Sequence, residues 1–521
     1  MTSTRSSSAS WPLGLFPALK LLLHVLTIPG YGIFRDELYY IACSKRLALG
    51  YVDHPSLSVA VLRVVREVLG DSLWAMRLVP ALVGAGVVLL VGLITRCLGG
   101  GTWAQVIAMA GALATPIFLA LSHIYSMNVF DLFFWAAAVY ALSRIDPAQK
   151  ALGPWIVLGL ILGLGLNNKM SVLWLGFGLG VGLVLTPWRR ALKTAGPWVA
   201  AAISGLLFLP HVLWQVANDW PTREFIANAT TEKMVRVDLA GFVRGQLDIL
   251  GPGVTVLVLL GLFFLLRAPN ALPDLRRMRL LGWIYLTVFV LLVLNGTSRS
   301  FYLAPTYTWL LAAGGVGFEW LVQRWSRPVR LGAGALLLTV LLGFGAVALP
   351  MVIPVLPVDE FVAYAEKLGS TPSSEERKEM GKLPQFYADM HGWTEKVAAA
   401  RQAVDLLSTE ERAVACLFAE NYGVAGALEH LGRGGEPGGL PPVVSGHNNY
   451  WLWGPGTCTG EVLVIMGGNA DELAELFESV EHVATVDCTY CMPYEDEKPV
   501  HVVRGPRVDL AESWGLIKHF D

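Results

Sequence analysis

Apolar residues in this chain come in long, nearly unbroken runs separated by short polar connections, a pattern unlike the one-faced periodicity of elements that border water. A helix crossing a bilayer needs about 20 mostly apolar residues, or somewhat fewer with snorkelling flanks, because backbone polar groups in hydrocarbon must be satisfied within the helix. The runs predict about eleven spans. They lie near Leu13–Ile28, Leu78–Ile94, Trp103–Leu121, Met127–Leu142, Pro154–Leu166, Ser171–Leu185, Trp198–Val216, Ile249–Leu266, Leu280–Leu294, Leu303–Leu321 and Leu331–Pro350. The polar stretch Met1–Ser10 precedes the first run, and no small-residue cleavage site leading into a soluble chain follows it, so that run is expected to be a retained span.

Cations occupy every second connection: Arg96; Arg144 and Lys150; Arg189, Arg190 and Lys193; Arg267, Arg276, Arg277 and Arg279; Arg324, Arg327 and Arg330. Short loops rich in Lys and Arg stay cytoplasmic. The expected topology is therefore a multi-pass inner (plasma) membrane protein with a cytoplasmic N-terminus. The connections 30–77, 122–126, 167–169, 218–246 and 295–302, and everything after Pro357, then share the outer side.

Hydrophobicity falls from Val358 onward, and helices near Thr394–Leu407, Val424–Leu431 and Asp471–Val480 are expected among strands at Ala413–Phe418, Pro442–Ser445, Glu461–Met466 and His482–Asp487. Such alternation predicts a small α/β domain. The expected organisation is an α-helical polytopic domain over residues 1–357 and an extracytoplasmic α/β domain over 358–521.

Composition agrees, with 54% hydrophobic and 15% charged residues in 521 and a mean hydropathy of +0.53. A formal net charge of -2 offers no basic face to nucleic acid, which is excluded as a partner. Of the six Cys, only those in the tail, Cys416, Cys458, Cys488 and Cys491, are placed to form a disulfide. The Cys488-Thr-Tyr-Cys491 spacing is that of a redox pair, yet it continues as a turn rather than as a thioredoxin-like helix, so redox chemistry is the weaker reading. No His/Cys grouping has zinc spacing, and neither a metal nor a cofactor is expected.

The first outer connection places Arg35, Asp36, Glu37, Asp53 and His54 beside the bilayer. Adjacent carboxylates there are costly unless water, a cation or a substrate compensates them. The plain alternative is a solvated Arg35–Asp36 ion pair in a long loop.

The run Arg35-Asp-Glu-Leu-Tyr-Tyr40, followed by Gly50-Tyr-Val-Asp-His-Pro-Ser-Leu57, resembles the first outer loop of the protein O-mannosyltransferase-like superfamily of GT-C glycosyltransferases. The likeness continues through Arg77-Leu-Val-Pro-Ala-Leu82, Ser122-His-Ile-Tyr-Ser-Met-Asn-Val-Phe-Asp131, Gly163-Leu-Gly-Leu-Asn-Asn-Lys169 and Ser298-Arg-Ser-Phe-Tyr-Leu-Ala-Pro305. It covers roughly Trp11 to Pro350, in order and on the expected outer side. Three tail stretches, Gln385–Trp393, Phe418–Gly423 and Ser445–Pro455, resemble the tail of one bacterial branch. The last of these is aromatic and amide-rich, which suits sugar binding or plain loop packing.

The resemblance implies an inverting membrane glycosyltransferase that moves a sugar from a polyprenyl-phosphate carrier to a hydroxyl acceptor, which is a glycan, lipid or protein, at the outer surface. It implies Asp36 as general base, with Glu37 orienting the acceptor or supporting Asp36. His54, Lys169, Arg299 and Tyr302 are the implied donor-phosphate ligands, with Arg35, Asp53, Arg77, His123 and Asp131 in support. Related aminoarabinose transferases of lipid A carry Glu-Lys where this chain has Asp53-His54, and a His is only partly cationic near neutral pH. Lys169, Arg299 and Tyr302 can also be read as interface anchors. Asp131 can be read as a structural pair with His123 or a backbone group, and Arg77 as structural. Competing classes are a lipid or solute transporter, which would often show internal repeats with matched Gly/Pro breaks, and a non-catalytic binding protein on the same scaffold.

Overall fold

The computed structural model describes residues 9–521; the N-terminal stretch through residue 8, including the expected cytoplasmic terminus, lies outside the described residues. Each expected apolar run is helical. In chain order the helices are α1 (Trp11–Thr27), α2 (Arg35–Lys45), α3 (Leu57–Leu69), α4 (Leu73–Cys97), α5 (Thr102–Ala114), α6 (Pro116–Leu121), α7 (Met127–Ser143), α8 (Gly153–Asn168) and α9 (Val172–Leu185). They continue with α10 (Gly196–Ala217), α11 (Pro221–Asn228), α12 (Leu239–Leu250), α13 (Pro252–Arg267), α14 (Pro273–Arg277), α15 (Leu280–Asn295), α16 (Tyr307–Val322) and α17 (Arg327–Val352).

By length and composition three of these, α4, α10 and α17, are able to cross a membrane alone, and up to five spans result if each bent pair counts as one. Among the shorter apolar helices are α1, α5, α7, α8 and α15. The expected single span Trp103–Leu121 is broken between α5 and α6, where Pro116 lacks the N–H that would continue the ladder. A 3-10 turn over Ser300–Thr306, containing Pro305, replaces the start of the expected span at Leu303. Between α12 and α13 the chain turns by 112° at Gly251, whose φ of +77° suits glycine and where a Cβ would strike the Phe344 ring.

The sidedness of α1 identifies its solvent. Leu15, Leu19, Leu22 and Leu26 are exposed while Phe16, Lys20 and His24 are buried. Such a helix is inside out for water and correctly faced for lipid. Lys20 is held by the Phe118 carbonyl at 2.9 Å. Helices approach closely through glycines, since a Cβ on Gly261 of α13 would collide with the Leu310 carbonyl of α16. Connections bearing the cations meet at one end of the bundle, where Arg277 Nη2 donates to the Ser143 carbonyl at 2.8 Å and Trp188 Nε1 to the Arg277 carbonyl at 2.8 Å.

The tail follows with α18 (Val358–Lys367), α19 (Gln385–Ala388), α20 (Trp393–Asp405), α21 (Thr409–Val414), α22 (Tyr422–His430), α23 (Asn449–Trp453), α24 (Ala470–Leu476) and α25 (Leu510–Ser513). Its sheet comprises β1 (Cys416–Ala419), β2 (Val443–Val444), β3 (Val462–Met466), β4 (Phe477–Val486) and β5 (Lys498–Pro506), in the order β2-β1-β3-β5-β4. Strand β1 runs parallel to β2 and β3, and β5 runs antiparallel to both β3 and β4. Two expectations are corrected here. The helix expected to reach Val480 ends at Leu476, with Phe477 already in β4, and β5 was not foreseen at all. Cys416 and Cys458 are disulfide-bonded.

The tail shares a core with the connection between α1 and α4. Leu38, Tyr39, Tyr40 and Ile41 of α2 pack in one buried cluster with Val424, Ala427 and Leu428 of α22 and with Val464 of β3. Gly423 and Gly426 make this approach possible, because a Cβ would lie 2.6 Å from Arg35 Cγ and 2.9 Å from Leu38 Cβ respectively.

Candidate active site

Helix α2 presents Asp36 and Glu37 in its first turn, where free backbone N–H groups and the helix dipole favour anions. The two carboxylates meet opposite surroundings. Glu37 has no exposure, and neither does the Arg77 side chain that pairs with it at 2.8 Å. Its Oε1 accepts from Arg77 Nε at 3.0 Å and from the Tyr125 N–H at 2.8 Å, and its Oε2 from the Phe34 N–H at 2.9 Å. Arg77 Nη1 and Nη2 also hold the Ile28 and Gly32 carbonyls, at 2.9 and 2.6 Å, and His123 Nε2 lies 3.5 Å from Nη1. This knot ties α2 to α4 and to the start of α7.

Asp36 is 38% exposed and accepts one hydrogen bond, from the Tyr422 hydroxyl at 2.9 Å. Arg35 lies beside it, with Nε 3.7 Å from Asp36 Oδ1. The guanidinium reaches Asp389 at 3.5 Å and Glu376 at 3.9 Å, and donates to the Tyr494 hydroxyl at 2.9 Å. Burial pushes the Asp389 carboxyl up to about 7, against the pull of Arg35. Glu376 is held down at about 2 despite its burial, because Lys233, Arg35 and Arg299 surround it.

Asp53 accepts from the Tyr39 hydroxyl at 3.2 Å and lies 3.8 Å from His54 Nε2. Burial raises the Asp53 carboxyl, and the charge of Asp36 adds to this. His54 is walled in by aromatic rings, stacked on Tyr40 at 4.7 Å, and bonds the Pro55 carbonyl through Nδ1 at 2.9 Å. Among the described residues the contacts of His54 are with Asp53, Pro55 and the rings of Tyr39, Tyr40 and Tyr51.

Lys169 and Arg299 form a second group. Lys169, at the end of α8, donates to Asn128 at 2.8 Å, lies 3.6 Å from Asp131 and sits 5.1 Å over the Tyr302 ring. Asp131 accepts from Ser171 at 2.6 Å, so its close partners are Lys169 and Ser171. Arg299 donates to Glu376 Oε1 at 2.6 Å. Glu376 contacts both Arg299 and Arg35, and so joins the phosphate-ligand candidates to the Asp36 side.

Asp389, Tyr422 and Asn449 come from the three tail stretches singled out in the sequence, one from each. Asn449 Oδ1 accepts from the Tyr39 hydroxyl at 3.0 Å and the Val52 N–H at 2.7 Å, fixing the loop of Asp53. None of Tyr422, Glu376, Asp389 and Tyr494 was a site candidate from sequence, although each contacts Asp36 or Arg35. Among the described residues, His447, His519 and Asp521 are grouped with donor atoms within 4.8 Å of one another, and His447 Nε2 lies 3.2 Å from Asp521 Oδ1.

Residues 53–214 match the family described as dolichyl-phosphate-mannose-protein mannosyltransferase. No curated protein matches the chain by sequence. A crystal structure of ArnT from Cupriavidus metallidurans bound to undecaprenyl phosphate aligns over 96% of this chain and 100% of its own, at 15% identity and a TM-score of 0.59. Its apo form aligns over 94% and 97%, at 16% identity and a TM-score of 0.58. The chain therefore has an ArnT-like GT-C fold with a small sheet domain after the apolar helices, and the family match within it is confined to residues 53–214.

Proposed function

We propose that this protein is an inverting glycosyltransferase that takes a sugar from a polyprenyl-phosphate carrier and transfers it to a hydroxyl acceptor at the outer face of the plasma membrane. The observation that carries the reading is the contrast within α2: Asp36 is an open carboxylate with a single neutral hydrogen-bond partner, next to a neighbour committed to structure. A carboxylate in that state is able to accept a proton. As the acceptor hydroxyl attacks the anomeric carbon, its proton passes to Asp36 and the bond to the carrier phosphate breaks on the opposite face. A single displacement of this kind inverts the anomeric centre.

The departing phosphate needs fixed positive charge. Lys169 and Arg299, with Tyr302 beside them, supply it in this reading, while His54 acts one step back by orienting Asp53. Glu37 serves as a positioning residue through Arg77 and Tyr125, with His123 at the rim of that knot. An apolar cleft of about 130 Å³ between α1, α5, α6 and α17, lined by Leu23, Leu113, Leu119, Leu342 and Leu349, offers room for a length of prenyl chain. Residues 358–521 cover the site from outside as a module, and the sugar and acceptor are chosen where that module meets α2.

The test is transfer by purified protein in lipid nanodiscs, given a panel of polyprenyl-phosphate hexoses and pentoses and a cell-envelope extract as acceptor source. Release of polyprenyl phosphate with at least one donor is expected. Absence of turnover with every donor would sink the proposal.

A further inference from the structure

Cys488 and Cys491 lie outside the chemistry described above, and their surroundings are unusual. Both are buried and free. The Cys491 N–H donates to Cys488 Sγ at 3.2 Å, and the Cys491 thiol to the Cys488 carbonyl at 3.1 Å, so the two thiols belong to one tight turn. The turn closes on Gly392, where a Cβ would lie 2.7 Å from Cys488 Sγ, 3.2 Å from Cys491 Cβ and 3.2 Å from Lys396 Nζ. A glycine is needed at that position because sulfur and ammonium converge on it. Lys396 is 1% exposed, its Nζ has no hydrogen-bond partner, and its one ion pair is with Glu495 at 3.3 Å. A buried ammonium beside thiols favours thiolate, the nucleophilic form. The Cys491 thiol and N–H, together with Lys396, bring the Cys488 thiol down to about 7.

The same loop feeds the candidate active site. Tyr494 binds Arg35. Glu495 accepts from Asn421 Nδ2 at 2.8 Å, and the Asn421 side chain caps α22 through the Gly423 and Val424 N–H groups. The first residue of that helix is Tyr422, which donates to Asp36. In the same tail Cys416 and Cys458 are already linked, as expected in an oxidising compartment.

We propose that Cys488 and Cys491 are a thiol–disulfide exchange site that closes into a second disulfide of the tail and locks the 488–496 loop, with Tyr494 and Glu495, against Arg35 and Tyr422. The proposal rests on the outer location of the tail. The oxidant is a disulfide of an extracytoplasmic exchange partner, which reaches Cys488 through local opening of the folded turn. The Cys488 thiolate attacks one sulfur of that disulfide and expels the other as a thiolate. The Cys491 thiolate then attacks Cys488 Sγ and releases the second. The pair loses two electrons and two protons, and the partner becomes a dithiol.

Full-length protein purified without reductant is alkylated in denaturant with N-ethylmaleimide, digested and read by mass spectrometry. Expected are a linked Cys416–Cys458 peptide, alkylated Cys43 and Cys97, and an unalkylated Cys488–Cys491 peptide lighter by about 2 Da than its dithiol form. A linked Cys416–Cys458 with both Cys488 and Cys491 alkylated overturns the proposal and leaves the outer location standing. Alkylation of all four tail cysteines overturns the outer location and the proposal together. Hydrogen exchange at Tyr494–Glu495 checks the lock: Cys488→Ser/Cys491→Ser should exchange there at least tenfold faster than the native protein, and an unchanged rate removes the locking role.

Discussion

Glu37→Gln and Asp36→Asn are the same chemical change one residue apart, and the structure predicts different outcomes. The Glu37 carboxylate takes hydrogen bonds from Arg77 Nε and Nη2 and from the Phe34 and Tyr125 N–H groups, with no exposure to solvent. An amide in its place turns an NH2 toward donors and leaves Arg77 without an anion, and breaking a buried ion pair costs about 3–5 kcal/mol. Asp36 takes one hydrogen bond at a half-open position, so Asp36→Asn should cost about 0.5–1.5 kcal/mol. Denaturant unfolding of the purified protein in detergent, followed by tryptophan fluorescence, measures both. Arg77→Leu alone should be as damaging as Glu37→Gln. Because Arg77 also holds the Ile28 and Gly32 carbonyls, Glu37→Leu/Arg77→Leu should recover only part of the loss. Glu37→Gln within about 1 kcal/mol of the native protein would refute the assignment of a structural lock.

Other consequences are also measurable. Tyr422→Phe deletes the one hydrogen bond to Asp36 and should lower kcat about tenfold at nearly unchanged stability, with a full effect on Km and none on kcat counting against a role at the proton acceptor. Gly426→Val inserts an isopropyl group where a Cβ alone would lie 2.9 Å from Leu38 Cβ; it should separate α22 from α2, and limited proteolysis should then cut the tail faster. Glu376 sits below its ordinary 4.5, at about 2. A depressed carboxylate contributes stability above about pH 4.5 that is lost as pH falls toward 2, roughly 3 kcal/mol in all. Glu376→Gln should therefore flatten the acid limb of the unfolding profile between those values, and an unaltered limb would contradict the Arg35–Glu376–Arg299 linkage.

Much of the framework was legible because lipid imposes a simple rule on sequence. Every apolar run became helical, and the connections with Asp36, Lys169 and Arg299 gathered at the end of the bundle that the tail contacts. Departures have local causes. Pro116 and Pro305 interrupt runs that hydropathy alone reads as continuous, and β5 carries Lys498, Pro499, His501 and Arg504 among its valines, which hides the strand. The site was legible on one side only. Tyr422 and Asp36 are 386 positions apart, and Arg35 and Tyr494 are 459 apart, so no periodicity in either segment reports the meeting. His54 stands in a motif that is legible in sequence, whereas its ring contacts with Tyr39, Tyr40 and Tyr51 are set by folding and no spacing reports them.

The central claim is that Asp36 takes the acceptor proton. Single-turnover transfer from a polyprenyl-phosphate sugar, comparing native protein with Asp36→Asn at matched folded fraction, tests it most directly. Loss of a general base should slow the transfer step about 10²–10⁴-fold while donor binding is retained. Transfer by Asp36→Asn at the native rate would contradict the account.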